Sequence, residues 1–151
     1  VSSPLLNSRY GSAQPAFSGN GKFLAFVSHG KDRQSLLVYD WTKHEFIPTP
    51  GLNQPSTIAE SPSLSYSGRY ICYLTSQQDQ LVIALYDRAT ETSQIITPGY
   101  RSWIRHPYIN PDGRYIVFES ASRGEWDIEV LDRGPTVELD IPNGSIVNVP
   151  N

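Results

Sequence analysis

The chain has 151 residues, 38% hydrophobic and 18% charged, the make-up of an ordinary globular protein long enough to bury a real core. A formal net charge of -3, with twelve Lys and Arg scattered among fifteen acids, leaves no footprint for nucleic acid or an anionic membrane surface. No apolar run approaches the ~20 residues of a membrane-spanning helix, and the single Cys72 has no partner for an internal disulfide.

Residues 1–9 hold only Leu5 and Leu6 as large apolar side chains. They are predicted to be a tail or a strand lent to a neighbouring sheet. Val1 as the first residue and the absence of methionine suggest a processed or trimmed N-terminus, a removed export signal being one explanation.

Three similar stretches follow. In the first, Gln14-Pro15 leads through Gly21 to the run Phe23 to Ser28 and on to Val38-Tyr39-Asp40. In the second, Ser61-Pro62 leads through Gly68 to Tyr70 to Thr75 and Leu85-Tyr86-Asp87; in the third, His106-Pro107 leads through Gly113 to Tyr115 to Ser120 and Val130-Leu131-Asp132. Pro to Gly spans six residues and Gly to Asp nineteen in every copy, with the copies 47 and 45 residues apart. A fixed period of this length marks a repeat architecture. Each β-branched and aromatic run follows a Gly-centred turn and is predicted to be a buried strand. Gly21, Gly68 and Gly113 supply the positive φ of the turn rather than a phosphate cradle.

Asp40, Asp87 and Asp132 end the third run of each copy and are predicted to cap the backbone N–H groups of the next turn. A fourth short run then follows: Glu45 to Ile47, Gln94 to Ile96, and Val137 to Leu139. Cys72 stands where the other copies carry Ala25 and Val117, so it is expected to be a small buried hydrophobe. Four short antiparallel strands per ~45 residues, with Pro and Gly too frequent for long helices, describe one blade of a β-propeller. The predicted fold is therefore all-β, with blades at 10–54, 55–101 and 102–145, and 146–151 as a second tail or seam strand.

The third copy, Asn110-Pro-Asp-Gly-Arg-Tyr-Ile-Val-Phe-Glu-Ser through Trp126-Asp-Ile-Glu-Val-Leu-Asp132, resembles the TolB-type propeller repeat. The phrases Gly-Arg-Tyr-Ile and Tyr-Asp-Arg are similar to those of small cyanobacterial TolB-like envelope lipoproteins. Phe17, Leu64 and Ile109 stand at the repeat's tryptophan, and only the third copy keeps Pro-Asp-Gly. The resemblance implies a WD40-like propeller, a periplasmic or cell-envelope location, and a protein or peptide partner there. It also implies six blades. Three blades cannot close a ring, so a homodimer completing one six-bladed propeller is expected, with a fragment of a longer propeller as the alternative.

Signatures of catalysis are missing from the sequence. It has no G-x-S-x-G elbow, Walker loop, dinucleotide fingerprint, H-E-x-x-H or C-x-x-C. His29, His44 and His106 have no second His or Cys at metal-ligand spacing, and neither metal nor cofactor is expected. The acids Asp112, Glu119, Glu125, Asp127, Glu129 and Asp132 alternate along strands, so they are predicted to charge an exposed outer edge rather than to bind calcium.

Residues just before the repeated Pro differ freely between copies and should lie near one mouth of the central channel. Glu60, Arg101, Trp103, Arg105 and His106 are the predicted ligand- or partner-binding rim. The leading functional expectation is a non-enzymatic binding module or scaffold. The alternative is a carbohydrate-acting lyase or glycosidase whose channel site is assembled on dimerisation, with Glu60, Arg105 and His106 as its candidate groups.

Overall fold

A computed structural model describes residues 12–29, 34–54, 58–97, 103–122 and 124–142. The terminal segments predicted as tails or seam strands lie outside them. Eleven strands and no helix make three antiparallel sheets among these residues. The first sheet is β1 (Ser12–Phe17), β2 (Phe23–His29), β3 (Gln34–Asp40) and β4 (Glu45–Ile47), paired in that order. The second is β5 (Ala59–Leu64), β6 (Tyr70–Gln77), β7 (Gln80–Asp87) and β8 (Thr92–Ile95). The third has three strands, β9 (Trp103–Ile109), β10 (Tyr115–Ser122) and β11 (Glu125–Asp132). The inner strand β5 packs against both β1 and β9, so the sheets stack side by side as propeller blades do.

The strands are held by the repeat. In each copy the turn closes with the glycine N–H donating to the carbonyl three residues back, Gly21 to Ser18, Gly68 to Ser65 and Gly113 to Asn110, at 2.9, 3.1 and 2.8 Å. These glycines have φ of 75°, 77° and 86°, the left-handed region that side chains resist. The capping aspartates also behave as the sequence predicts. Asp40 accepts the N–H groups of Thr42 and Lys43, Asp87 that of Ala89, and Asp132 that of Gly134.

Arg69 and Arg114 each grip the Asp of their own copy through two nitrogens, at 3.0 and 3.1 Å and at 2.7 and 2.9 Å. The Arg114 guanidinium and the Gly134 N–H hold the Asp132 carboxyl down at about 2. The first copy has Lys22 at this position, and there the Thr42 hydroxyl donates to Asp40 instead.

Alternation along each strand sends one set of side chains forward and one back. Ala25, Leu36 and Val38 on the front of the first sheet pack against Ile71, Tyr73, Ala84 and Tyr86 on the back of the second. Cys72, Leu74, Ile83 and Leu85 on the second sheet's front meet Ile104, Ile109, Ile116 and Phe118 on the third sheet's back. The core is thus two apolar seams between three sheets. Burial pushes the Cys72 thiol up to about 12, so it is the inert core residue the repeat predicts.

Each seam carries the same clasp at its turn end. The ring that opens the second strand of one copy lies under the turn glycine of the next, Phe23 under Gly68 and Tyr70 under Gly113. The Arg that follows the capping Asp then covers the ring, Arg88 over Phe23 at 4.6 Å and Arg133 over Tyr70 at 4.4 Å. Both arginines also donate to the carbonyl of that glycine.

The third sheet departs from the expected four strands. Val137–Leu139 makes no strand, because the chain after β11 is drawn back onto the second sheet. Tyr70 donates its hydroxyl to the Glu138 carbonyl, Arg69 pairs with the Glu138 carboxylate at 2.7 Å, and the Asp140 N–H donates to the Asp112 carbonyl. Buried Asp140 accepts from the Ser65 hydroxyl and from both the N–H and hydroxyl of Ser67, the last two at 2.8 and 2.6 Å. That anchor replaces edge pairing and leaves the outer edge of β11 unpaired among the described strands.

Candidate functional site

Proline has no N–H to give to a ladder, and it bars the preceding residue from the helical region. Each inner strand answers with a bulge just before its Pro. Gln14, Ser61 and His106 have φ of 56°, 53° and 53°, and the register shifts beside each of them. The freely varying positions are therefore also the strained ones, and the bulge re-aims their side chains. In the first copy the Gln14 side chain reaches forward and accepts the Ser61 N–H at 2.6 Å. Glu60 accepts from Gln34 Nε2 at 3.2 Å, so it is tied to the first sheet.

Arg105 and His106 converge on one partner. Arg105 Nε lies 3.0 Å from Glu119 Oε1, and His106 Nδ1 lies 2.9 Å from Glu119 Oε2. The Arg105 guanidinium stacks on the Trp126 ring at 3.6 Å. Trp103 is 74% exposed at the start of β9, and the register puts Trp103, Ala121 and Trp126 in one row across the sheet. Two of the five predicted rim residues, Arg105 and His106, thus form one cluster, Trp103 lies in the row that ends at Trp126, Glu60 contacts the first sheet, and Arg101 falls outside the described residues.

Glu119 and Trp126 were not among the predicted rim residues. A signal for Glu119 lies in the repeat itself, since it is a charge where the other copies place Val27 and Leu74 in the core. The acidic series is accordingly not a bare charged edge. Glu119 serves the cluster, Glu129 accepts from Ser120, and Asp112 accepts the Arg114 N–H and the Asn110 amide. Among the described residues no group of three His, Cys, Asp or Glu could hold a metal.

The His106 ring and the Arg105 guanidinium hold the Glu119 carboxyl below the ordinary glutamate range. The cluster is therefore fully formed above that range and is lost as pH falls through the lowered value. Carboxyl ¹³C NMR titration is expected to show the Glu119 midpoint rising towards the ordinary value in His106→Ala. A midpoint that stays put would mean that the imidazole does not face this carboxylate in solution.

The exposed face extends past the cluster. Ile128, Val130 and Tyr108 are 66%, 63% and 55% exposed and lie on the same side of the sheet as Trp126. A separate cleft of about 530 Å³ opens on the second sheet, lined by Tyr73, Thr75, Gln77, Gln78 and Gln94 among others. Its lining is mostly amides and hydroxyls, and Asp79 is its one charge.

No protein-family model and no curated protein matches the chain. Solved structures do. TolB from Acinetobacter baumannii is similar over 88% of this chain and 32% of its own, at 23% identity and a TM-score of 0.64. A putative TolB from Agrobacterium tumefaciens is similar over 90% of this chain and 51% of its own, at 19% identity and 0.66. An oligogalacturonate lyase in complex with manganese is similar over 83% of this chain and 36% of its own, at 16% identity and 0.61. The chain spans about a third to a half of the length of each of these proteins. With its three antiparallel sheets, repeated turns and blade-like stacking, it has the TolB-like β-propeller fold.

Proposed function

We propose that the chain is a non-enzymatic β-propeller binding module that engages a protein or peptide partner through the Trp103 end of its third sheet. The observation that carries this reading is the Arg105 guanidinium held flat on Trp126 and pinned by Glu119, beside the open Trp103 ring. A rigid cation flanked by exposed aromatic rings is the composition of binding hot spots, because such groups bury much area and lose little freedom. The arrangement suits an extended peptide that offers a carboxylate to Arg105 and an apolar side chain to Trp103. The likeness of the repeat to TolB supports a periplasmic or cell-envelope setting.

Selection of displayed random peptides against the chain tests the reading. Enriched peptides are expected to bind at least about tenfold more weakly to Trp103→Ala and Arg105→Ala. Peptides that bind both variants as tightly as the parent would overturn the assignment of this rim. Turnover of oligogalacturonate by the chain would overturn the non-enzymatic reading.

A further inference from the structure

The clasp described above is complete twice and halved twice. On the third sheet, Tyr115 stands at the position of Phe23 and Tyr70, yet no glycine of a following sheet lies on it among the described residues. On the first sheet, Gly21 stands at the position of Gly68 and Gly113, yet a Cβ added there would meet nothing within 4 Å. Trp41 occupies the place of Arg88 and Arg133, the residues that cover the preceding ring, and it is 42% exposed with Phe17 edge-on at 6.5 Å. Among the described residues the third sheet therefore carries a ring without a seat, and the first a seat without a ring.

The Tyr115 half of the open face follows the same rule. Val117, Ile128 and Val130 hold the positions of Cys72, Ile83 and Leu85, which in the second sheet are buried beneath the third, whereas Glu119, at the place of Leu74, belongs to the Arg105 and His106 cluster. An apolar face of this kind is the surface an inter-sheet seam uses, left uncovered.

We propose that the front of the third sheet seats the first sheet of a second copy of this chain, with Tyr115 under Gly21 and Trp41 of that copy. The contact is heterologous, joining unlike surfaces, and it closes when made twice around a twofold axis. Two such sets of three sheets make six, within the range of about four to eight that close a propeller ring. The seam takes the Tyr115 end of the face and the peptide rim the Trp103 end, so each is tested without the other.

Analytical ultracentrifugation of the chain at tens of micromolar is the test. The 16.9 kDa chain is expected to sediment as a dimer. Gly21→Asn keeps a residue that tolerates positive φ, has open space around its Cβ and blocks the seat. Val130→Asp puts a charge on the opposite half of the seam. Each is expected to weaken the dimer at least about tenfold with its circular dichroism unchanged, and an equimolar mixture, which has one intact seam, is expected to associate more tightly than either alone. A parent chain that stays monomeric overturns the proposal, even if it still binds the selected peptides. A dimer untouched by Gly21→Asn overturns it too, since the seat at Gly21 would then lie outside the interface.

Discussion

Gly113→Ala is expected to lower the unfolding free energy by about 3 kcal/mol, and Gly21→Ala by only about 1 kcal/mol. Both glycines have the left-handed φ of the repeated turn, so both substitutions incur the backbone cost of a Cβ in that region. They differ in what the new methyl meets. At Gly113 it would lie 2.5 and 2.7 Å from two carbons of the Tyr70 ring; at Gly21 it would find open space. Tyr70 cannot retreat, because its hydroxyl is bonded to the Glu138 carbonyl and its ring is covered by Arg133. Gly68 lies between these extremes, with its nearest neighbours at 3.3 Å. Urea denaturation of the three alanine variants, at a dilution that keeps the chain as single copies, should rank them Gly113, Gly68, Gly21. Equal losses at all three would mean that only the turn, and not the clasp, demands glycine.

Asp140→Ala is expected to cost about 3 kcal/mol, from the loss of several hydrogen bonds to one buried charged group. The carboxylate accepts from Ser65 and twice from Ser67, residues more than seventy positions earlier in the chain. Removing it leaves the Ser67 N–H without its acceptor and frees the segment after β11. Ser67→Ala should cost less, about 1 kcal/mol, because the Ser67 N–H and the Ser65 hydroxyl keep their acceptor. The double variant is expected to lose less than the sum of the two single losses. Strict additivity would show that Asp140 and Ser67 do not interact in solution.

These two residues also mark how far the sequence could be read. Gly113, Asp132 and the run Tyr115 to Ser120 were legible because they recur at fixed offsets, and turn chemistry is local. Asp140 was not, because it has no polar counterpart in the other copies and its partners are remote in sequence. Val137–Leu139 matched the expected fourth run in hydrophobicity, but the bonds at Tyr70, Arg69 and Asp140 outcompeted a short edge pairing. In the candidate site, the place before the repeated Pro singled out Trp103, Arg105 and His106. Glu119 and Trp126 were missed because cross-strand register, which periodicity leaves open, decides what faces them.

The clasp has an evolutionary consequence. Every unit carries the receiving half of the joint on one side and the inserting half on the other, so a tandem duplication would inherit both without inventing a new surface. Growth by whole units would then be chemically neutral at each step, and only the turning angle between successive units would limit how many the assembly tolerates.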